Sequence, residues 1–198
     1  MGDSALRIAA TLPALARAAI LADPPDGLLD LVCGHHTLAA ILTPGSDLAD
    51  ASAAIADALA RAHLLAPPAP RTIEFPVLYD GPDLAPLAAS LNLAPATLAD
   101  LHAAATYTVR FMGFAPGFAY LEGLPVPLHV PRLDSPRPRV PAGSVAIAGP
   151  YSGIYPAESP GGWRLLGRTS RTLFDPLSTS PTLLQPGDRV RFIPTPAL

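Results

Sequence analysis

The chain has 198 residues, 49% of them hydrophobic, with a formal charge of −3 and no basic run, so it suits one large domain or two small ones and is not expected to bind nucleic acid. Its 13 basic residues are all arginines, and without lysine it has no Schiff-base or pyridoxal-phosphate anchor, no biotin attachment point and no Walker-type phosphate loop. The single cysteine, Cys33, rules out a disulfide framework and a cysteine zinc site; its apolar run "LLDLVC" marks it as a small core residue.

In chain order, "GDSALRIAA" alternates weakly and predicts a strand. "LPALARAAILADPPDG" predicts a helix with Pro13 in its first turn and a Pro-Pro-Asp-Gly stop. "LLDLVCG" and "HTLAAIL" read as a hairpin turning at Gly34-His35, with His35 and His36 on its surface. "SDLADASAAIADALARAHLL" carries an N-capping serine or aspartate and a long helical period, and "PPAPRTIEFPVLY" leads into another strand. Residues 1–77 therefore read as β-α-β-β-α-β, a ferredoxin-like α/β domain. Residues 78–198 begin with two short helices, "GPDLAPLAASLN" and "APATLADLHAAAT". They continue in the β-rich runs "YTVRFMGF", "SVAIAG", "WRLLGRT" and "RVRFIP", separated by Pro/Gly loops, which suggests a small barrel or sandwich and an α+β chain overall. No apolar run reaches the roughly 18 residues that span a membrane. "MGDSALRIAATLP" lacks a basic start and a cleavable apolar segment, so a cytoplasmic location is expected.

Three clusters carry the candidate chemistry. "GFAPGFAYLEGL" (113–124) suggests a turning loop walled by aromatics, or an aromatic mini-core beneath it. In "VPRLDSPRPRVPAGSVAIAG", prolines stiffen the backbone around Arg132, Arg137 and Arg139; fixed guanidinium forks suit a carboxylate or phosphate, though solvated surface arginines fit the same spacing. Directly after them, Gly143 and Ser144 of "PAGS" could offer backbone N–H groups to an oxyanion. "IYPAESPGGWRLLGRT" (154–169) holds the lone tryptophan, Trp163. It adds Glu158 as a possible general base, Ser159 as a donor, Arg168 near the strand end, and the Gly161-Gly162 pair that lets backbone approach a ligand. His102 in the preceding helix is either an acid–base group or a helix-face histidine. No metal-ligand spacing is present.

Together these motifs, F-x-P-G-F-x-Y-L-x-G-L, then P-R-x-x-x-P-R-x-x-V-P-A-G-S-V-x-I-A-G, then G-I-Y-P-x-E-S-P-G-G-W-x-L-x-G-R-T and L-x-P-G-D-R-V-R-F, resemble the allophanate hydrolase subunit 1 family. That family contains the B subunits of bacterial 5-oxoprolinases and an inhibitor of a sporulation histidine kinase. The resemblance implies a small N-terminal α/β domain and a C-terminal cyclophilin-like, carboxyltransferase-type β-barrel. It also implies a cytoplasmic hetero-oligomer in which A and C subunits join this one to hydrolyse 5-oxoproline, a small carboxylate, to glutamate with ATP and magnesium. The alternatives are docking on and inhibition of a sensor histidine kinase, or an accessory role in urea and allophanate metabolism. Laid over the motifs, residue chemistry assigns Arg132, Arg137 and Arg139 to anion contact, and Glu158 and Ser159 to the site lining. Tyr120, Tyr155 and Trp163 become its walls. The chain departs from the family pattern at Ala119, where proline is usual, and in the hairpin "CGHHTLAAIL".

Overall fold

The computed structural model describes residues 4–11, 13–61 and 69–198, and the chain divides into two compact units, Met1–Ala69 and Pro70–Leu198. The first unit runs β1 (Ala5–Ala9), α1 (Pro13–Ala22), β2 (Leu28–Cys33), β3 (Thr37–Leu42) and α2 (Leu48–Ala60). Its antiparallel sheet has the order β1-β3-β2, a split β-α-β. Leu38, Ala40 and Leu42 alternate into its core, where Ile20 of α1 and Ile55 of α2 are also buried. Asp47 caps α2, its carboxylate accepting from the Ala49 and Asp50 N–H groups. Cys33 is a core residue: burial pushes its thiol pKa up, and its Sγ contacts the Pro13 carbonyl. The start of "GDSAL" and the end of the long helical run lie outside the described residues.

The last strand expected for this domain belongs elsewhere. β4 (Thr72–Val77) pairs in parallel with β12 (Arg189–Pro194) in the second unit, so the first unit holds β-α-β-β-α and the β4 backbone completes the barrel. α3 (Leu84–Ser90) and α4 (Pro95–Ala104) follow, then β5 (Thr106–Met112), β6 (Ala119–Glu122), β7 (Arg137–Val140), β8 (Ser144–Ala148), β9 (Tyr151–Ile154), β10 (Ser159–Gly161) and β11 (Arg164–Arg168). Seven strands form one sheet ordered β11-β8-β9-β6-β5-β12-β4. Its two edges are joined by reciprocal Leu78–Arg168 backbone hydrogen bonds of 2.9 Å, so the sheet closes into the cyclophilin-like barrel that the resemblance implies. Closure needs Gly167, where a Cβ would stand 2.3 Å from the Leu78 carbonyl oxygen.

Alternation fills this barrel. Phe75, Tyr107, Val109, Leu121, Ile147, Val190 and Phe192 point inward, joined by Leu84, Leu87 and Leu98 from α3 and α4. Each such side chain contributes about 1.5–3 kcal/mol when fully buried. β8 is buried on both faces: Val145 and Ile147 belong to the barrel core, while Ala146 and Ala148 face a second cluster on the outside of the wall. Among the described residues no single helix is long and apolar enough to cross a membrane.

Candidate functional site

The second cluster is aromatic. Phe118, Tyr155 and Trp163 are nearly buried with Val140, Ala146, Ala148 and Leu165, and Tyr120 and Tyr151 flank them. The rings meet mostly edge to face: Phe118–Trp163 at 5.3 Å, Phe118–Tyr155 at 5.5 Å and Tyr120–Trp163 at 5.6 Å between centroids. Phe111 stacks on Tyr120 at 4.2 Å. Gly153 forms the floor, since a Cβ there would come within 3.0 Å of Phe118 and 3.1 Å of Trp163. The 113–118 loop supplies Phe118 and ends its turn with Gly117 at φ 81°. Phe114 in that loop holds φ 71°, a left-handed conformation that is costly for a bulky residue, and leaves its ring 59% exposed above Phe118 and Tyr155.

A flap roofs this nest. β7 and β10 pair antiparallel, Ser159 opposite Val140 and Gly161 opposite Arg137. Directly paired residues share a face, so Ser159 points the same way as the fully buried Val140, into the aromatic cluster. Its Oγ is buried without a hydrogen-bond partner among the described residues. Gly161 lies against the Tyr155 phenol, where a Cβ would fall 2.2 Å from the hydroxyl oxygen. Burial raises the Tyr155 pKa; a hydrogen bond from the Trp163 backbone and the charges of Arg132 and Arg137 oppose that shift.

The predicted arginines separate by their partners. Arg137 donates from Nη2 to Asp83 Oδ1 at 2.6 Å and from Nη1 to the Trp163 carbonyl at 3.5 Å, while Asp83 Oδ2 accepts the Leu165 N–H at 2.7 Å. Asp83, which only its place in "YDGPDL" distinguishes in the sequence, thus ties the flap to β11. Arg139 pairs with Glu158 at 3.0 Å on the flap surface, its side chain 79% exposed. Arg168 pairs with Asp80 at 2.9 Å at the barrel seam, so it does not join the aromatic nest. Arg132 is exposed and beside Gly162, and makes no hydrogen bond or ion pair among the described residues.

Two expectations are corrected. The Gly143 and Ser144 N–H groups are already committed, to the Tyr155 carbonyl at 2.7 Å and the Pro141 carbonyl at 3.3 Å, and the Ser144 hydroxyl also bonds Pro141, so "PAGS" is a turn that builds the wall and not an oxyanion hole. His102 is fully buried inside the barrel, stacked on Phe192 at 4.6 Å. Its Nδ1 lies 2.8 Å from the Tyr79 hydroxyl and its Nε2 2.8 Å from Ser152 Oγ. Ser152 donates onward to the Ala146 carbonyl at 3.3 Å, which makes Nε2–H the donor to Ser152 and Nδ1 the acceptor from Tyr79. Burial holds the His102 pKa down at about 3 and pushes that of Tyr79 up. A neutral histidine closed off from solvent with both nitrogens bonded is a structural node, so His102 is not the acid–base group offered by the sequence.

Among the described residues no three His, Cys, Asp or Glu side chains converge as a metal site. The arrangement is a packed aromatic cluster with one orphan hydroxyl beneath the flap, and a neighbouring strap that carries Arg132, which has no partner among the described residues.

Comparison with known proteins agrees with this architecture. A family model described as carboxyltransferase domain, subdomain C and D, matches residues 3–184. The chain is 53% identical over 130 residues to the B subunit of the 5-oxoprolinase of Escherichia coli O157:H7, covering 64% of this chain and 60% of that protein. It is 47% identical over 126 residues to the B subunit of the Bacillus subtilis 5-oxoprolinase, covering 62% and 52%. The matches therefore span little more than half the length of these relatives. Among solved structures, TTHA0988 superposes with a TM-score of 0.82 at 37% identity over 98% of this chain and 40% of that one. The urea amidolyase of K. lactis, 18% identical, shares the fold with a TM-score of 0.71 over 98% of this chain and 14% of that one. With its model matched across most of its length, the chain belongs to the family of carboxyltransferase domains, subdomain C and D.

Proposed function

We propose that this chain is the B subunit of an ATP-dependent 5-oxoprolinase, acting in the cytoplasm with A and C subunits to hydrolyse 5-oxo-L-proline to L-glutamate. The observation that carries the reading is the 53% identity over 130 residues to the B subunit of a 5-oxoprolinase. The site chemistry supports it. 5-Oxoproline is a nearly flat lactam with one carboxylate: aromatic edges and faces can flank the ring, while a hydroxyl and a guanidinium recognise its polar ends. Hydrolysis breaks the ring C–N bond; water supplies the oxygen of the new side-chain carboxylate, and the released nitrogen becomes the amine. Within this reading Ser159 lines the underside of the flap, and Glu158, held by Arg139 and half exposed, sits at the rim.

The described residues offer the phosphates of ATP no lysine, and the Gly143 and Ser144 N–H groups are taken. In this reading the nucleotide is held by another subunit, and this chain binds and orients the lactam. The test is ADP and glutamate release from 5-oxoproline and ATP by this chain mixed with its A and C partners, and by mixtures lacking one component. Turnover that needs all three supports the subunit role. Full turnover without this chain overturns it.

A further inference from the structure

We propose that Arg132 is the residue that reads the substrate carboxylate, and that Arg137 and Arg139 are not; this rests on the 5-oxoprolinase reading. A guanidinium recognises a carboxylate best when its donors are free and its backbone is already fixed, because the ordering cost is then met before binding. Arg137 fails the first condition, with both terminal nitrogens committed to Asp83 and the Trp163 carbonyl. Arg139 is neutralised by Glu158 and stands at the flap surface.

Arg132 meets both conditions. On one side, the Pro131 carbonyl accepts from Arg164 Nε at 3.4 Å; on the other, the Leu133 N–H donates to the Gly162 carbonyl at 2.7 Å. The strap that carries Arg132 is thus pinned on both flanks to the segment leading into β11, and Pro131 stiffens it further. Its Cβ lies 3.8 Å from where a Gly162 side chain would begin, so the strap runs in close contact with the Gly161-Gly162 turn. The charges of Arg132 and Arg137 both act on the Tyr155 hydroxyl, and of the two only Arg132 is without an ion-pair partner among the described residues. Asp134, two positions along, is exposed and forms no ion pair with it. On the flap that neighbours this strap, the unpartnered Ser159 Oγ faces the cluster that contains Tyr155. Within the 5-oxoprolinase reading, Arg132 supplies the cation for the carboxylate and Ser159 a hydroxyl without a partner among the described residues.

The experiment uses the three assembled subunits and steady-state kinetics in 5-oxoproline. R132A is expected to raise KM at least tenfold with kcat within threefold, because the lost contact is made in ground and transition state alike. R132K should recover part of the KM, and R191A, which removes a barrel arginine paired with Glu74, should leave both constants unchanged. Arg132 is exposed, so the melting temperature of R132A should match that of the wild type. Titrating each variant into the other subunits separates a substrate carboxylate from one on a partner subunit. An unchanged KM for R132A overturns the proposal, as does a loss of activity that appears only as weaker subunit titration. A wild-type assembly with no turnover overturns the underlying hydrolase reading instead.

Discussion

His102 shows how one residue links burial to pH. Its unfolded pKa is near 6.5 and its folded value about 3, so between those limits the unfolded chain binds a proton that the native barrel does not. Its contribution to stability is complete above pH 6.5 and is lost as pH falls towards 3, at up to about 1.4 kcal/mol per pH unit. Urea unfolding followed by Trp163 fluorescence should show the midpoint falling through this window. H102Q should start from a lower stability and have a shallower pH dependence; an identical dependence would remove His102 as the group responsible. In the sequence, His102 is one histidine on a short helix, and nothing local announces that Tyr79 and Ser152, 23 and 50 positions away, will enclose it. The same distance problem affects the arginines. Arg132, Arg137 and Arg139 share a proline-rich stretch and look equivalent until Asp83 and Glu158 take two of them. That Tyr120, Tyr155 and Trp163 would gather was legible because they sit in glycine-rich motifs with few other uses for large rings, and they meet as a packed cluster.

At the scale of elements, the flap depends on a single carboxylate. Asp83 is nearly buried and holds Arg137 of β7 and the Leu165 N–H of β11 together. D83A would leave a half-buried guanidinium and a buried N–H unsatisfied, and should cost about 3 kcal/mol, near the low end for a broken buried pair. The loss is measurable as a lower urea midpoint, and the released flap should also red-shift Trp163 emission. An unchanged midpoint would show that the flap is held by its aromatic contacts alone. β5, β8, β11 and β12 were readable as apolar or alternating runs. β7 and β10 were not: "RPRV" and "SPG" are short and carry proline, and they become strands only by pairing with each other. Likewise, "TIEFPV" reads correctly as a strand, but its neighbour is fixed by pairing across more than a hundred residues, which no local pattern encodes.

For the whole second unit, the decisive contact is β4 beside β12. Thr72 faces Arg189 and Val77 faces Pro194, and Arg71 clamps Asp188, 117 positions away, through a bidentate pair that also involves the Gln185 N–H. Deleting residues 189–198 would remove the strand between β5 and β4 and, with it, Val190 and Phe192 from the core. A cooperative unfolding transition of the barrel should then be lost, and circular dichroism with Trp163 fluorescence would check this; a retained sharp transition would mean that the sheet closes without β12. The same pairing dictates a timetable during synthesis. As the nascent chain emerges, β5 and β4 present open backbone edges, and Phe75 and Tyr107 lack their neighbour, until the last strand is made and slots between them. Helices and hairpins can form early, but the barrel becomes safe from sticking to other chains only once residues 189–194 have left the ribosome.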